Sequence, residues 1–220
     1  MFCTPADFNL LPYNIPNLNQ VVNTFQPYVD AAEEDMLRKL LGSQLYTEFM
    51  AELNDMPDEW DSTITYGIGT QVVYGVDIWQ ALQENLNEVP GGFPSWELIE
   101  EGNKWLTLEK GNLFIYDTWQ FEWAGMKDML KPFIFSIWTR DTYDNNSGIG
   151  VVQAKAENAE VIAPSLRIVR AWNVFSEKAD IMFMFIQSTN VKPTDAPEDW
   201  LPVYENWHYC PPGTMNHLNL

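Results

Sequence analysis

Leu40-Leu41-Gly42-Ser43-Gln44-Leu45-Tyr46 decides how this chain is read, because its glycine separates two apolar patterns of helical period. Before it, Phe25, Val29, Ala32, Met36 and Leu40 recur every three or four residues and form one stripe. Asp30, Glu33, Glu34, Arg38 and Lys39 are expected on the opposite, solvated side. Pro27 suits a first helical turn, where a missing N–H is no loss, and the acids after it favour the positive end of the helix dipole. Gly42 can take the positive φ that ends a helix, and Ser43 can cap the next one. That second helix is expected to bury Leu45, Tyr46, Phe49 and Leu53. A helix–glycine–helix unit is a scaffold, so function is sought in assembly before catalysis.

A chain of 220 residues suits one substantial domain, or one domain with a small module. An apolar fraction of 46%, with 10 Trp, 12 Phe and 9 Tyr, supplies a packed core and argues against disorder. The longest strongly apolar run, Ile181-Met182-Phe183-Met184-Phe185-Ile186, is far too short to span a bilayer. The opening Met1-Phe2-Cys3-Thr4-Pro5-Ala6-Asp7 lacks the basic region and apolar core of an export signal. The expectation is a soluble protein made in the cytoplasm, with no membrane partner.

The charge is lopsided: 31 acids against 12 Lys and Arg give −19. Tight binding of DNA or RNA needs Lys and Arg against phosphate, so nucleic-acid recognition is disfavoured. Solubility is the general use of such acidity. A sharper reading is a surface that DNA passes without sticking, as in the wall of a conduit. Cys3 and Cys210 are expected to be free thiols. His208, Cys210 and His217 lack the paired close spacings of a zinc site, so neither metal nor other cofactor is expected.

Along the chain, residues 1–20 are rich in Pro and Asn and read as an extended arm. The helical hairpin runs from about Gln20 to Leu53, and Asn54 to Trp60 reads as a linker. From Ile64 to Ile99 the rhythm becomes strand-like, with Thr70–Tyr74 and Val76–Ala81 as strands, Gly75 as their turn, and Trp96-Glu97-Leu98 as a third strand. Leu106-Thr107-Leu108 and Gly111–Tyr116 read as a second hairpin turning at Lys110-Gly111-Asn112. Helical spacing returns at Met126, Met129, Leu130, Phe133, Ile134, Ile137 and Trp138, with Pro132 either starting that helix or kinking it. Asp144-Asn145-Asn146-Ser147-Gly148 stops it, and Ile149–Gln153 reads as an extended crossing. The last helix is expected from Pro164 to Gln187, with Leu166, Val169, Trp172, Asn173, Ser176, Ala179, Phe183 and Ile186 inward. Five prolines beyond Gln187 preclude regular structure there. The fold class is therefore α+β. A helical core over 21–58 and 101–190 carries an inserted antiparallel β-module over 59–100, between an arm (1–20) and an irregular tail (191–220).

Catalysis finds little support. Gly-x-Ser-x-Gly, a phosphate-binding glycine loop and His-Glu-x-x-His are all missing. Carboxylate pairs such as Asp58/Asp61 or Glu97/Glu100 arise by chance in so acidic a chain. Arg167 and Arg170, like Lys127 and Lys131, suit solvated or ion-paired faces better than a phosphate site. Tyr74, Trp79, Phe93 and Trp96 can form a stacking platform for sugar rings. The competing reading makes Trp79 and Trp96 the core of a module with little else to bury.

Two resemblances follow from these residues. Tyr66, Gly69, Val72, Tyr74, Trp79, Ala81, Asn85, Pro90 and Trp96-Glu97-Leu98 resemble the chitin-binding-type β-modules of glycoside hydrolases and phage proteins. The helix–Leu-Gly–helix segment from Glu33 to Phe49 resembles the start of head–tail connector proteins of tailed bacteriophages. Three further segments, in this order, are similar to connectors of crAss-like phages: Trp123-Ala124-Gly125-Met126-Lys127-Asp128-Met129-Leu130-Lys131-Pro132, Ser147-Gly148-Ile149-Gly150-Val151-Val152, and Ala171-Trp172-Asn173. The resemblance covers about residues 25–190. It implies a structural protein of the virion neck, not an enzyme: a homo-oligomeric ring, commonly of twelve copies, joining portal to tail proteins while DNA passes through the lumen unbound. Its structural residues would be Gly42 at the helix corner, Pro132 at the helix break, Gly148 and Gly150 at the turn, and Trp172 in the core. The alternative is a carbohydrate-binding virion protein acting through the four aromatics of the β-module.

Overall fold

Gly42 takes a φ of +82°, a left-handed conformation in which a side chain is strained, and so breaks the helical run as its position in the sequence requires. The computed structural model describes residues 2–15, 18–92, 94–147, 164–194 and 196–207. Among them are five α-helices and seven short strands, an α+β fold. The chain forms two compact units. One gathers the N-terminal arm, α1 (Leu18–Leu41) up to Leu40, α4 (Met126–Ser147), and α5 (Pro164–Thr189) up to Gln187. The other gathers Leu41–Gly125 with Ser188–Trp207.

In the helical unit, Phe25, Val29, Met36 and Leu40 of α1 are buried as the stripe predicts, and Ala32 is half-buried. Phe25 meets Phe8 edge-on at 5.2 Å and Trp138 of α4 at 4.8 Å. Pro27 lies well inside α1 rather than in its first turn, because the helix begins at Leu18. Pro132 likewise neither starts nor ends α4. Each proline removes one helical hydrogen bond, a loss tolerated where the surrounding apolar face is packed.

Ala179, Phe183 and Ile186 are buried on the inner face of α5 as expected, and Met182 joins them; the departure is confined to the first half of the helix. There Ile168, Ala171 and Phe175 are buried, whereas Leu166 and Val169 are exposed and Trp172 is only half-buried. Two apolar tracks compete on this helix. The one led by Phe175, whose ring packs on Phe133 of α4 at 5.0 Å, hides more apolar surface than the one passing through Ser176. The arm packs on its own unit through a 3-10 turn, Pro5–Phe8, opened by a Thr4/Asp7 capping box. Gly148, Gly150 and the Ile149–Gln153 crossing lie outside the described residues.

In the second unit, β2 (Gln71–Tyr74), β3 (Asp77–Ala81) and β5 (Trp96–Glu100) form an antiparallel sheet in the order β2-β3-β5. Gly75 turns the first hairpin with a φ of +68°. A two-stranded pair, β1 (Thr65–Tyr66) with β4 (Asn85–Leu86), stands beside it. Alternation along β2 sends Val72 to a cluster with Tyr66, Ala81 and Trp96, and Val73 to a cluster with Ile78 and Leu106. Leu53 and Met56 close that second cluster. Both faces of the sheet are therefore covered, and the second cover comes from α2 (Ser43–Asp55) and α3 (Lys104–Lys110). This is why the boundaries differ from a module confined to 59–100: the three-stranded sheet has a second apolar face that only the flanking helices can bury.

Four further details correct the sequence reading. Ser43 is the first residue of α2 rather than its cap, and its carbonyl accepts from the Thr47 hydroxyl. Half-buried Leu53 sits at the edge of a cluster rather than within it. The linker is not free, since Val73 N–H donates to the Asp58 carbonyl and Trp60 N–H to the Val73 carbonyl, both at 2.9 Å. Leu106-Thr107-Leu108 is helical, because Asn103 accepts from the N–H groups of Trp105 and Leu106 and nucleates α3. The hairpin thus starts later than expected, as β6 (Asn112–Tyr116) with β7 (Trp119–Trp123), turning at Asp117 and Thr118, whose φ values are +46° and +73°.

Beyond the end of α5 at Thr189, residues 190–207 are irregular where described, yet they are tied to their own unit. Asn190 donates to the Tyr204 carbonyl and accepts from its N–H, and the buried Tyr204 hydroxyl donates to the Lys104 carbonyl at 2.8 Å.

Candidate functional site

The register of the small sheet puts Val72, Tyr74, Trp79, Ala81 and Trp96 on one face. Trp96 is only 4% exposed, its indole N–H donates to the Glu88 carbonyl at 2.9 Å, and its ring meets Tyr66 at 5.5 Å. It is a core residue and no platform for a ligand. Trp79 is half-buried against the same cluster, and its buried indole N–H has no hydrogen-bond partner among the described residues. Tyr74 is exposed and meets Trp60 edge-on at 5.7 Å. Phe93 lies outside the described residues. Of the three described aromatics, Tyr74 and Trp79 remain as candidates for contact with a ligand.

The carboxylate pairs do not converge on a reaction centre. Asp61 accepts from the N–H and hydroxyl of Thr63, both at 2.7 Å, as in an Asx turn. Glu100 accepts from Asn103 at 3.0 Å, supporting the cap of α3. Asp58 and Glu97 are exposed. Arg167 lies over the Phe135 ring at 5.2 Å and donates to the Pro12 carbonyl, while Lys127 pairs with Asp7 at 2.8 Å. Among the described residues no group of His, Cys, Asp and Glu can hold a metal, and His208, Cys210 and His217 lie outside them. Cys3 is a free, buried thiol, and burial together with nearby Glu33 pushes its pKa far up.

Glu33 is the residue that periodicity misplaced. It is 3% exposed and accepts from the N–H of Phe2 at 2.9 Å and of Cys3 at 2.7 Å. Burial pushes its carboxyl pKa up, against the lowering effect of those two hydrogen bonds. The helical wheel shows only that Glu33 lies one position after Ala32. That the arm would bring two N–H donors to it is a tertiary fact.

Two surface features stand out. In the helical unit a cleft of about 460 Å³ opens over Ala31 and Ala32, walled by Met36, Phe133, Ile137 and Trp172. Small residues make the space, and larger apolar ones flank it. At its rim, Lys39 pairs with Asp35, and Arg140 with Asp141. Tyr28 donates to Asp141 at 2.7 Å, and burial together with that bond pushes the phenol pKa up.

Among the described residues, the β6–β7 ribbon of the second unit pairs only with itself. Leu113 and Ile115 stand 58% and 71% exposed on its outer face, and Trp119, at the turn, is 72% exposed. The opposite face is anchored, with Phe114 stacked on Phe121 at 5.8 Å and the buried Trp123 indole donating to the Leu108 carbonyl at 2.9 Å. No protein-family model, curated protein or solved structure matches this chain.

Proposed function

We propose that this chain is a structural subunit of the head–tail connector of a crAss-like tailed phage. Twelve copies form a ring in the neck, joining portal to tail around the DNA channel. The resemblance in segments 33–49, 123–132, 147–152 and 171–173 motivates the reading. The observation that carries it is the β6–β7 hairpin, which holds three large apolar side chains in solvent on a ribbon with open edges. Such a surface invites pairing and is normally covered by a partner. The charge of −19 fits a lumen that does not trap DNA. The same charge sets copies against one another, so closure of the ring draws on the portal, on tail proteins or on cations. The activity is assembly, and no reaction is assigned.

Reconstruction of the neck from purified particles tests this reading. A ring of this α+β subunit between portal and tail is expected. Particles lacking the chain, or isolated protein closing into rings at low salt without partners, overturn it in whole or in its account of charge.

The second reading, a carbohydrate-binding virion protein, is favoured by exposed Tyr74 and by the Trp79 indole N–H, which has no partner among the described residues. Titration of chitin oligomers and capsular glycans separates the two. Loss of binding in folded Tyr74→Ala and Trp79→Ala variants supports sugar recognition, and an absence of binding to the parent protein removes it. Trp96→Ala serves only as a folding control, since Trp96 is core.

A further inference from the structure

We infer that the free chain pairs with a second copy through the open edge of β6, in an antiparallel contact centred on Phe114 that joins two hairpins into one four-stranded sheet. The inference is independent of the ring reading, because a two-fold contact closes on two copies and builds no ring. Its first support is a comparison of sheet edges. Edges are normally guarded by charge or by a covering segment. The outer edge of β2 is covered by Asp58 and Trp60, whose backbones bond to Val73 at 2.9 Å. β5 carries Glu97 and Glu100, and β7 carries Glu122. β6, Asn112-Leu113-Phe114-Ile115-Tyr116, has five residues and no charge, and β7 is its one strand neighbour among the described residues.

The second support is the phase of the hydrogen bonds. Asp117 and Thr118 form a two-residue loop with positive φ at both positions, so the flanking Tyr116 and Trp119 exchange backbone hydrogen bonds. Alternation along an antiparallel ladder then turns the N–H and C=O groups of Leu113 and Ile115 away from β7, to the free edge. The Asn112 side chain holds the Leu113 N–H at 2.8 Å, and no described residue covers that of Ile115. The third support is self-complementarity, and it selects a second copy as the partner. In a β6–β6 pair centred on Phe114, Leu113 of each copy lies opposite Ile115 of the other. These are the two positions whose backbone groups face the edge, so the ladder forms without a register shift. Leu113 and Ile115, 58% and 71% exposed, share one face, and four apolar side chains meet in the middle of the new sheet. Gln120 and Glu122 stay on the outer strands. The two Glu122 positions are then three strand spacings apart, about 14 Å, beyond the screening length of about 8 Å at physiological salt. Copies at −19 thus meet where like charge opposes them least.

Sedimentation velocity on the full chain tests this, over a concentration series in about 1 M salt, where the Debye length is about 3 Å and repulsion between copies is screened. The parent protein is expected to run as a reversible monomer–dimer mixture. Ile115→Lys puts a charge on the edge at an exposed position. It is expected to stay folded by circular dichroism and to weaken the dimer by at least about tenfold. Ile115→Pro removes an N–H that the hairpin itself does not use, and is expected to do the same. Gln120→Pro makes the equivalent change on the β7 edge and is expected to leave the dimer at parental strength. In the parent, hydrogen exchange at the Ile115 amide is expected to slow as protein concentration rises, while that at Gln120 stays constant. A monomeric parent, a folded Ile115 variant that dimerises like the parent, a folded Gln120→Pro variant that loses the dimer, or an Ile115 amide indifferent to concentration overturns the contact. None of these outcomes touches the ring reading, which the neck reconstruction tests separately.

Discussion

The Glu33 carboxylate holds the arm by the N–H groups of Phe2 and Cys3, so Glu33→Gln replaces an acceptor oxygen with an amide donor facing a donor. Urea denaturation should show a loss of about 1–3 kcal/mol. Its pH dependence has a defined sign. Burial raises the folded-state pKa of Glu33 above its ordinary 4.5, so its contribution is full below that value and declines as pH rises through the folded pKa. The gap between parent and variant should therefore be widest in acid and narrow toward neutrality, and a gap that widens with pH would contradict the assignment. Asp7 behaves oppositely. Burial alone would raise its pKa, but the hydrogen bonds from Lys127 and Thr4 prevail and lower it, so its contribution is present above its ordinary 3.8 and lost as pH falls through the folded value. Gly111 is a second residue-scale test. Its φ is +99°, and an added Cβ would come within 2.9 Å of the Ala124 and Gly125 backbone, while Gly125 packs as closely on Glu109 and Lys110. Gly111→Ala should lower stability by about 2 kcal/mol or more, read as a shifted urea midpoint.

Among the elements, α5 makes the clearest claim. Phe175 packs on Phe133 and is buried, whereas Leu166 is exposed on the track that periodicity equally allowed. Phe175→Ala should cost about 3–5 kcal/mol and Leu166→Ala less than about 0.5 kcal/mol in the same denaturation assay. Equal losses would return α5 to the phase expected from its sequence. The same lesson applies to α3. A run of Leu-Thr-Leu suits a strand as well as a helix, and what decides is the Asn103 side chain capping the N–H groups of Trp105 and Leu106. Asn-x-x ahead of an apolar run is a readable helix start, so that signal was present in the sequence. The turn at Asp117-Thr118 was harder to see, because both residues adopt positive φ without a glycine.

For the whole molecule, charge is the governing quantity. A chain at −19 repels itself, so adding salt up to about 0.5 M should raise the melting temperature of the isolated protein. A melting temperature that falls with salt would mean that surface pairs such as Arg38–Glu34 outweigh the repulsion. Among the described residues no helix is long and apolar enough to cross a membrane. The α+β class, the corner at Gly42, the strands about Gly75 and the core of the small sheet were all legible in the sequence, because they follow from local backbone preference and side-chain period. What only the tertiary structure decided was which apolar face wins when two are available, how α2 and α3 seal the second side of the sheet, and why a glutamate is buried in α1. Those outcomes depend on surfaces that residues far apart in sequence bring together, and periodicity along one element carries no record of what will pack against it.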